Sequence, residues 1–241
     1  MKNYFYNVML IILFLSSVLI SCDKDEETPV VKETGTVTDI ENNVYNTIKI
    51  GDQWWMAENL RVKTFRNGQS ISKNQTNETW VDSTSAYCVF DNNENSPGLL
   101  YNWSAVTDNN QLAPTGWHIA TDAEWKKLEQ FLGMISPDSD KNGWRGSNEA
   151  DKLRIEGTNG WTAYSGIWST NESGFTALAG GCRLFNGTWG DPGLFASGYW
   201  WSSTSYSGKE AWYRNLDYKN SKVYRSYCDK NYGMSVRCVK D

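Results

Sequence analysis

The sequence predicts an α+β domain. Strand-like segments rich in Val, Ile, Trp and Tyr lie towards both ends, with helix signals between them. Thirteen Trp and 13 Tyr among 241 residues demand burial or a partner, which excludes a disordered chain. No internal repeat is visible, so one domain with a real core is expected.

The elements follow in chain order. Lys2 precedes an apolar run over 8–20 of signal-peptide length, short for a membrane span. Leu19-Ile20-Ser21-Cys22 resembles a bacterial lipobox, in which the cysteine takes the lipid. Residues 1–21 are therefore read as a lipoprotein signal peptide. Residues 22–34 are read as an acidic tether after lipidated Cys22, and the membrane becomes a partner through that lipid. Asp23-Lys24-Asp25-Glu26-Glu27 resembles the surface-export signal of Bacteroidota lipoproteins. That likeness implies an outer-membrane, lipid-anchored protein facing the medium.

The folded part starts near Gly35. Segments 36–40, 44–50 and 54–57 read as a three-stranded meander, with turn chemistry at 41–43 and 51–52. Residues 66–79 read as loop, 86–90 as strand and 99–106 as a short helix. Thr121-Asp122-Ala123-Glu124 is a capping box. Behind it Trp125, Leu128, Phe131 and Leu132 share a helical face, and Gly133 ends the run. A second short helix is expected over 148–154. Strands are expected over 175–178, 198–204, 211–218, 222–227 and 234–239.

Chemistry is sparse. A formal net charge of −5 argues against a nucleic-acid groove. A single histidine, His118, leaves little scope for a His-rich metal site or a His-based triad, and no nucleophile lies beside it. Glu58 and Glu124 would serve acid–base chemistry only if they converged in a cleft, and capping already explains Glu124. No nucleophile elbow, phosphate loop or metalloprotease helix is present. A non-enzyme is expected, with no catalytic residue, no cofactor and a monomeric state. Asp91-Asn92-Asn93-Glu94-Asn95 carries oxygen ligands of the kind Ca2+ takes, but it lacks the spacing and terminal carboxylate of an EF-hand loop, and a polar turn is the preferred reading. Apart from Cys22, the cysteines are Cys88, Cys182, Cys228 and Cys238, an even number that allows two disulfides in three connectivities.

The C-terminal third is crowded with rings. Tyr206, Tyr213, Tyr224, Tyr227 and Tyr232, with Asn215, are the candidate ligand-binding residues. Strand alternation puts Trp212, Arg214 and Leu216 on one face, and Tyr213 and Asn215 on the other. Val223 and Arg225 likewise oppose Tyr224 and Ser226. Large rings mixed with Asn, Ser and Arg resemble a paratope, and aromatic faces also stack on sugars. A glycan or a protein ligand is the expected partner.

Six ordered motifs carry a family resemblance. They are Ile-Lys-Ile-Gly-Asp-Gln-Trp-Trp-Met-Ala-Glu-Asn-Leu from Ile48, Gly-Leu-Leu-Tyr-Asn-Trp from Gly98, and Ala-Pro-Thr-Gly-Trp-His-Ile-Ala-Thr-Asp-Ala-Glu-Trp from Ala113. Gly-Phe-Thr-Ala-Leu-Ala-Gly-Gly from Gly174, Trp-Trp-Ser-Ser-Thr from Trp200 and Gly-Met-Ser-Val-Arg-Cys-Val from Gly233 follow. Over 35–241 the chain resembles the Fibrobacter succinogenes major paralogous domain (FISUMP) of surface lipoproteins. That family is similar to the C-type-lectin-like fold of formylglycine-generating enzymes. The resemblance implies a single α+β domain with short helices, twisted antiparallel strands, and its first and last strands close together. The lectin calcium motifs Glu-Pro-Asn and Trp-Asn-Asp are absent. The family's cysteine pattern implies the pairs Cys88–Cys238 and Cys182–Cys228.

Overall fold

The computed structural model describes residues 32–81, 83–90, 93, 96–158, 160–190 and 195–241. The expected signal peptide, Cys22, the expected tether as far as Val31 and, from the segment 91–95, every residue but Asn93 lie outside the described residues. The described chain begins with β1 (Thr34–Thr38), β2 (Val44–Ile50), β3 (Gln53–Met56), β4 (Ser72–Lys73) and α1 (Asn77–Val81). Next come β5 (Ala86–Cys88), β6 (Leu100–Asn102), α2 (Trp103–Val106), β7 (Trp117–Ile119) and α3 (Asp122–Phe131). After α4 (Ser136–Ser139), β8 (Gly143–Arg145) and α5 (Glu149–Leu153) follow β9 (Cys182–Arg183) and β10 (Trp189–Gly190). The last strands are β11 (Ser197–Ser205), β12 (Glu210–Asp217), β13 (Val223–Asp229), β14 (Gly233–Met234) and β15 (Cys238–Lys240). No described helix is long and apolar enough to cross a membrane.

The described residues form three sheets, in the orders β1-β2-β3-β15-β7, β10-β9-β14-β6-β5-β4 and β11-β12-β13-β8. The expected meander is real. Asp39 shapes its first turn by accepting from the backbone N–H of Glu41 and Asn43 and from the Tyr45 hydroxyl. Gly51, at φ 63°, turns β2 into β3. β15 lies between β3 and β7, so strands from the two ends of the domain share one sheet.

The capping box forms as read. The Thr121 hydroxyl accepts from the Glu124 N–H, and the Glu124 carboxylate accepts from the Thr121 N–H. Trp125 and Leu128 then face inward, where Trp125 packs against Trp55 and Phe175 at ring separations of 5.1 and 5.6 Å. β11 divides two core clusters, because alternation sends Trp200 into one and Trp201 into the other.

Several expectations need correction. Residues 99–106 split into β6 and α2, because Asn102 caps α2 and ends the strand. Residues 175–178 are not a strand. Thr176 has φ 56°, and the Asn171 side chain holds its N–H in a turn. Residues 234–239 break into β14 and β15, because Ser235 and Arg237 turn inward to Asn59.

No disulfide joins the described cysteines, so neither Cys88–Cys238 nor Cys182–Cys228 forms. Cys88 packs with Trp80 and Phe90, whereas Cys238 belongs to the cluster around Tyr101 and Trp201. Cys182 and Cys228 sit on strands of different sheets, and their sulfurs are not bonded. Burial pushes the Cys88 thiol up to about 12, and the Cys228 and Cys238 thiols higher still.

Four arginines tie the loops together. Arg66, Arg154, Arg183 and Arg237 each donate to at least two backbone carbonyls. A loop-rich interior leaves carbonyls without ladder partners, and a guanidinium with five donors satisfies several at once. Arg183 also lies over the rings of Trp80 and Trp189.

Candidate binding face

The sheet β11-β12-β13-β8 has two unlike faces. One packs on α3. It carries Trp200, Arg214, Leu216, Val223, Arg225 and Arg145, all buried. Arg145 grips Glu129 with two hydrogen bonds of 2.6 and 2.9 Å, and Arg214 Nε adds a third at 2.7 Å. Arg225 makes two bonds to Asp122, at 2.9 and 2.8 Å, and Arg214 Nη1 makes one at 2.8 Å. Burial alone would raise the Asp122 pKa. The Arg225 hydrogen bonds and the Arg214 charge outweigh it and hold the carboxyl well below the usual range. These arginines are therefore committed to the fold.

The other face carries a row of rings across all four strands. Tyr199, Tyr213, Tyr224 and Trp144 follow one another with centroids 6.1, 6.3 and 5.0 Å apart. Register explains the row: Tyr199 opposes Asn215, Tyr213 opposes Ser226, and Tyr224 opposes Trp144. Tyr199 and Tyr213 pack partly on the core, while Trp144 is 40% exposed. Burial pushes the Tyr213 phenol well up, so it stays a neutral hydrogen-bonding group. The row can stack on flat or apolar surfaces and hydrogen-bond along its edge; the described residues hold no His/Cys/Asp/Glu cluster that could bind a metal.

The structure separates the six candidate residues. Tyr213 and Tyr224 lie together in the row. Tyr232 follows β13 and packs against exposed Phe185 at 5.9 Å. Tyr206 and Tyr227 stack face to face at 3.6 Å, with Trp212 edge-on to both. That trio lies at the other end of the sheet, and Arg225 covers Trp212. Asn215 is only 6% exposed, and its amide donates to the carbonyls of Gly198 and Leu216. Trp144 escaped the sequence reading, because its strand has three residues and the signal there is only a Gly-Trp-Arg turn exit.

The titratable residues singled out earlier hold structure. His118 bonds Glu124 and Asp241, each at 2.7 Å. The Glu124 bond chiefly raises the His118 pKa to about 9, with Asp241 adding to it against desolvation. Glu58 accepts from Asn46 and Arg61, so the two glutamates serve separate partners.

The family model of the Fibrobacter succinogenes major domain matches residues 48–240. The chain belongs to this family. Comparison with curated proteins and with solved structures finds no match.

In this major domain the ordered motifs meet inside the molecule. Asn59 Oδ1 accepts from Trp200 Nε1 and Arg237 Nε, both at 2.8 Å. Its amide donates to the Pro97 carbonyl and the Ser235 hydroxyl. Trp201 Nε1 reaches the Tyr101 carbonyl, Trp103 Nε1 the Ser202 carbonyl, and the Ser203 hydroxyl the Ile119 carbonyl. The motif side chains thus lock the frame, and the ring row is displayed on it.

Proposed function

We propose that this major domain is a surface-anchored, non-catalytic binding module. It recognises a glycan or another macromolecule, and Cys22 carries its lipid. The observation that carries the reading is the row Tyr199–Tyr213–Tyr224–Trp144, half-buried at its three tyrosines and exposed at Trp144, along a four-stranded sheet. Rings held in place cost little entropy to present, which suits recognition. A C-type-lectin-like fold accords with β15 pairing beside the N-terminal hairpin.

The test is a glycan array probed with residues 32–241, with calcium and with a chelator, alongside a pull-down from intact envelopes. Wild-type protein binds. Tyr213→Ala and Tyr224→Ala each lose about tenfold in affinity, the ~1.4 kcal/mol expected of a modest hot spot. Both keep a cooperative melting transition, with Tyr213→Ala melting lower because its ring packs partly on the core. Blank results in both assays from a folded protein would overturn the reading in favour of a structural envelope role. For the anchor, Cys22→Ala shifts the full chain from the membrane fraction to the soluble fraction.

A further inference from the structure

The described residues 157–158 and 160–169 hold a second site. Their loop is closed at its neck, where the Gly157 N–H donates to the Ser169 carbonyl at 3.3 Å. Ends that meet over so few residues make it an Ω-loop. Trp161 roots it: the ring is buried, and Nε1 donates to the Ala177 carbonyl at 2.8 Å. Gly166, at φ 83°, permits the turn that joins the Ile167 N–H to the Tyr164 carbonyl. Two further rings, Tyr164 and Trp168, are left 49% and 76% exposed. Folding gains little from leaving them in water, which points to something that covers them.

Between these rings and Tyr218 lies a cavity of about 460 Å³. That size lies within the range of small-molecule sites. Tyr164 meets Tyr218 edge-on at 5.8 Å, which makes a rigid aromatic corner. Thr158, Thr162, Ser165 and Ser169 add hydroxyls to the wall. Arg154 also lines it. Its terminal nitrogens are occupied by Asp151 and by the carbonyls of Asp217 and Asn220, but its buried Nε–H has no acceptor. Lys219 lies over the Tyr218 and Tyr164 rings. The wall therefore offers apolar faces and neutral hydroxyls. A sugar ring matches this: its C–H face stacks on an indole, and its hydroxyls pair with threonine and serine.

We propose that this cavity binds the end of a neutral oligosaccharide. The site is separate from the ring row. Tyr218 packs with the core cluster under α3, which holds Leu216, whereas Tyr213 packs against the other cluster.

The experiment is saturation-transfer NMR and calorimetric titration of the full-length chain. The probes are maltose, cellobiose, lactose, mannobiose and N,N′-diacetylchitobiose, with no glycoside detergent in the buffer. At least one disaccharide binds, with transfer to its ring protons. Trp168→Ala weakens that binding at least tenfold and keeps the melting temperature. Trp168→Phe, which retains an aromatic face, binds within a few-fold of wild type. Tyr213→Ala binds the disaccharide normally, so failure of the ring-row reading leaves this one standing. Absence of binding by all five probes, or binding unchanged in Trp168→Ala, would overturn the proposal.

Discussion

Glu129 is fully buried and takes three hydrogen bonds from two arginines. Removing it strands Arg145 in the interior and takes one of the two carboxylate partners of Arg214. Glu129→Ala should cost about 3–5 kcal/mol, read by urea denaturation. His118 makes a second residue-scale prediction. Its pKa is raised from 6.5 to about 9, so its contribution to stability is fully present below about pH 6.5. That contribution is lost as pH rises through about 9. Wild type should therefore lose more melting temperature than His118→Gln between pH 6 and pH 10; equal losses would refute the assignment. At this scale the sequence was only half legible. Alternation correctly separated Arg214 from Tyr213, yet nothing local showed which face is inward. That depends on Asp122 and Glu129, carboxylates on a helix far back in the chain.

Local elements were legible where their chemistry is self-contained. The capping box is complete within four residues, and it was found as read. Thr121→Ala should cost about 1 kcal/mol, measured by thermal or chemical unfolding, because the Glu124 N–H loses its acceptor. Elements held by distant groups were not legible. Phe175 and Thr176 look strand-forming, but Arg237 binds both of their carbonyls and fixes a turn instead. The ring-lined loop around Tyr164 and Trp168 was missed for a related reason. Trp161, Tyr164 and Trp168 fall at i, i+3 and i+7, the spacing of a helical face, but Gly160 and Gly166 at positive φ break the run and no helix forms among the described residues. Three large rings within 161–168, in a segment flanked and interrupted by glycines, were the available signal.

For the molecule as a whole, Asn59 is the point where three motifs join. Asn59→Ala leaves Trp200 Nε1 and Arg237 Nε buried without an acceptor. At about 1–3 kcal/mol for each abandoned group, that variant should unfold at markedly lower urea, with the transition read by tryptophan fluorescence. The six motifs foretold the family and an α+β frame. They did not foretell the ligand, because their side chains face inward, and the surface rings belong to other segments. The central place of β15 also has a consequence for time. Its bridge from Val239 to Trp55 closes a loop of about 180 residues. The β1–β3 and β11–β13 hairpins can assemble early from nearby contacts, but the first sheet stays split until β15 arrives. A topology with such distant pairing belongs among the slow folders, at milliseconds to seconds rather than microseconds. During that interval the tryptophans on either side of the gap stay wet, and the unfinished chain is at its most adhesive towards its neighbours.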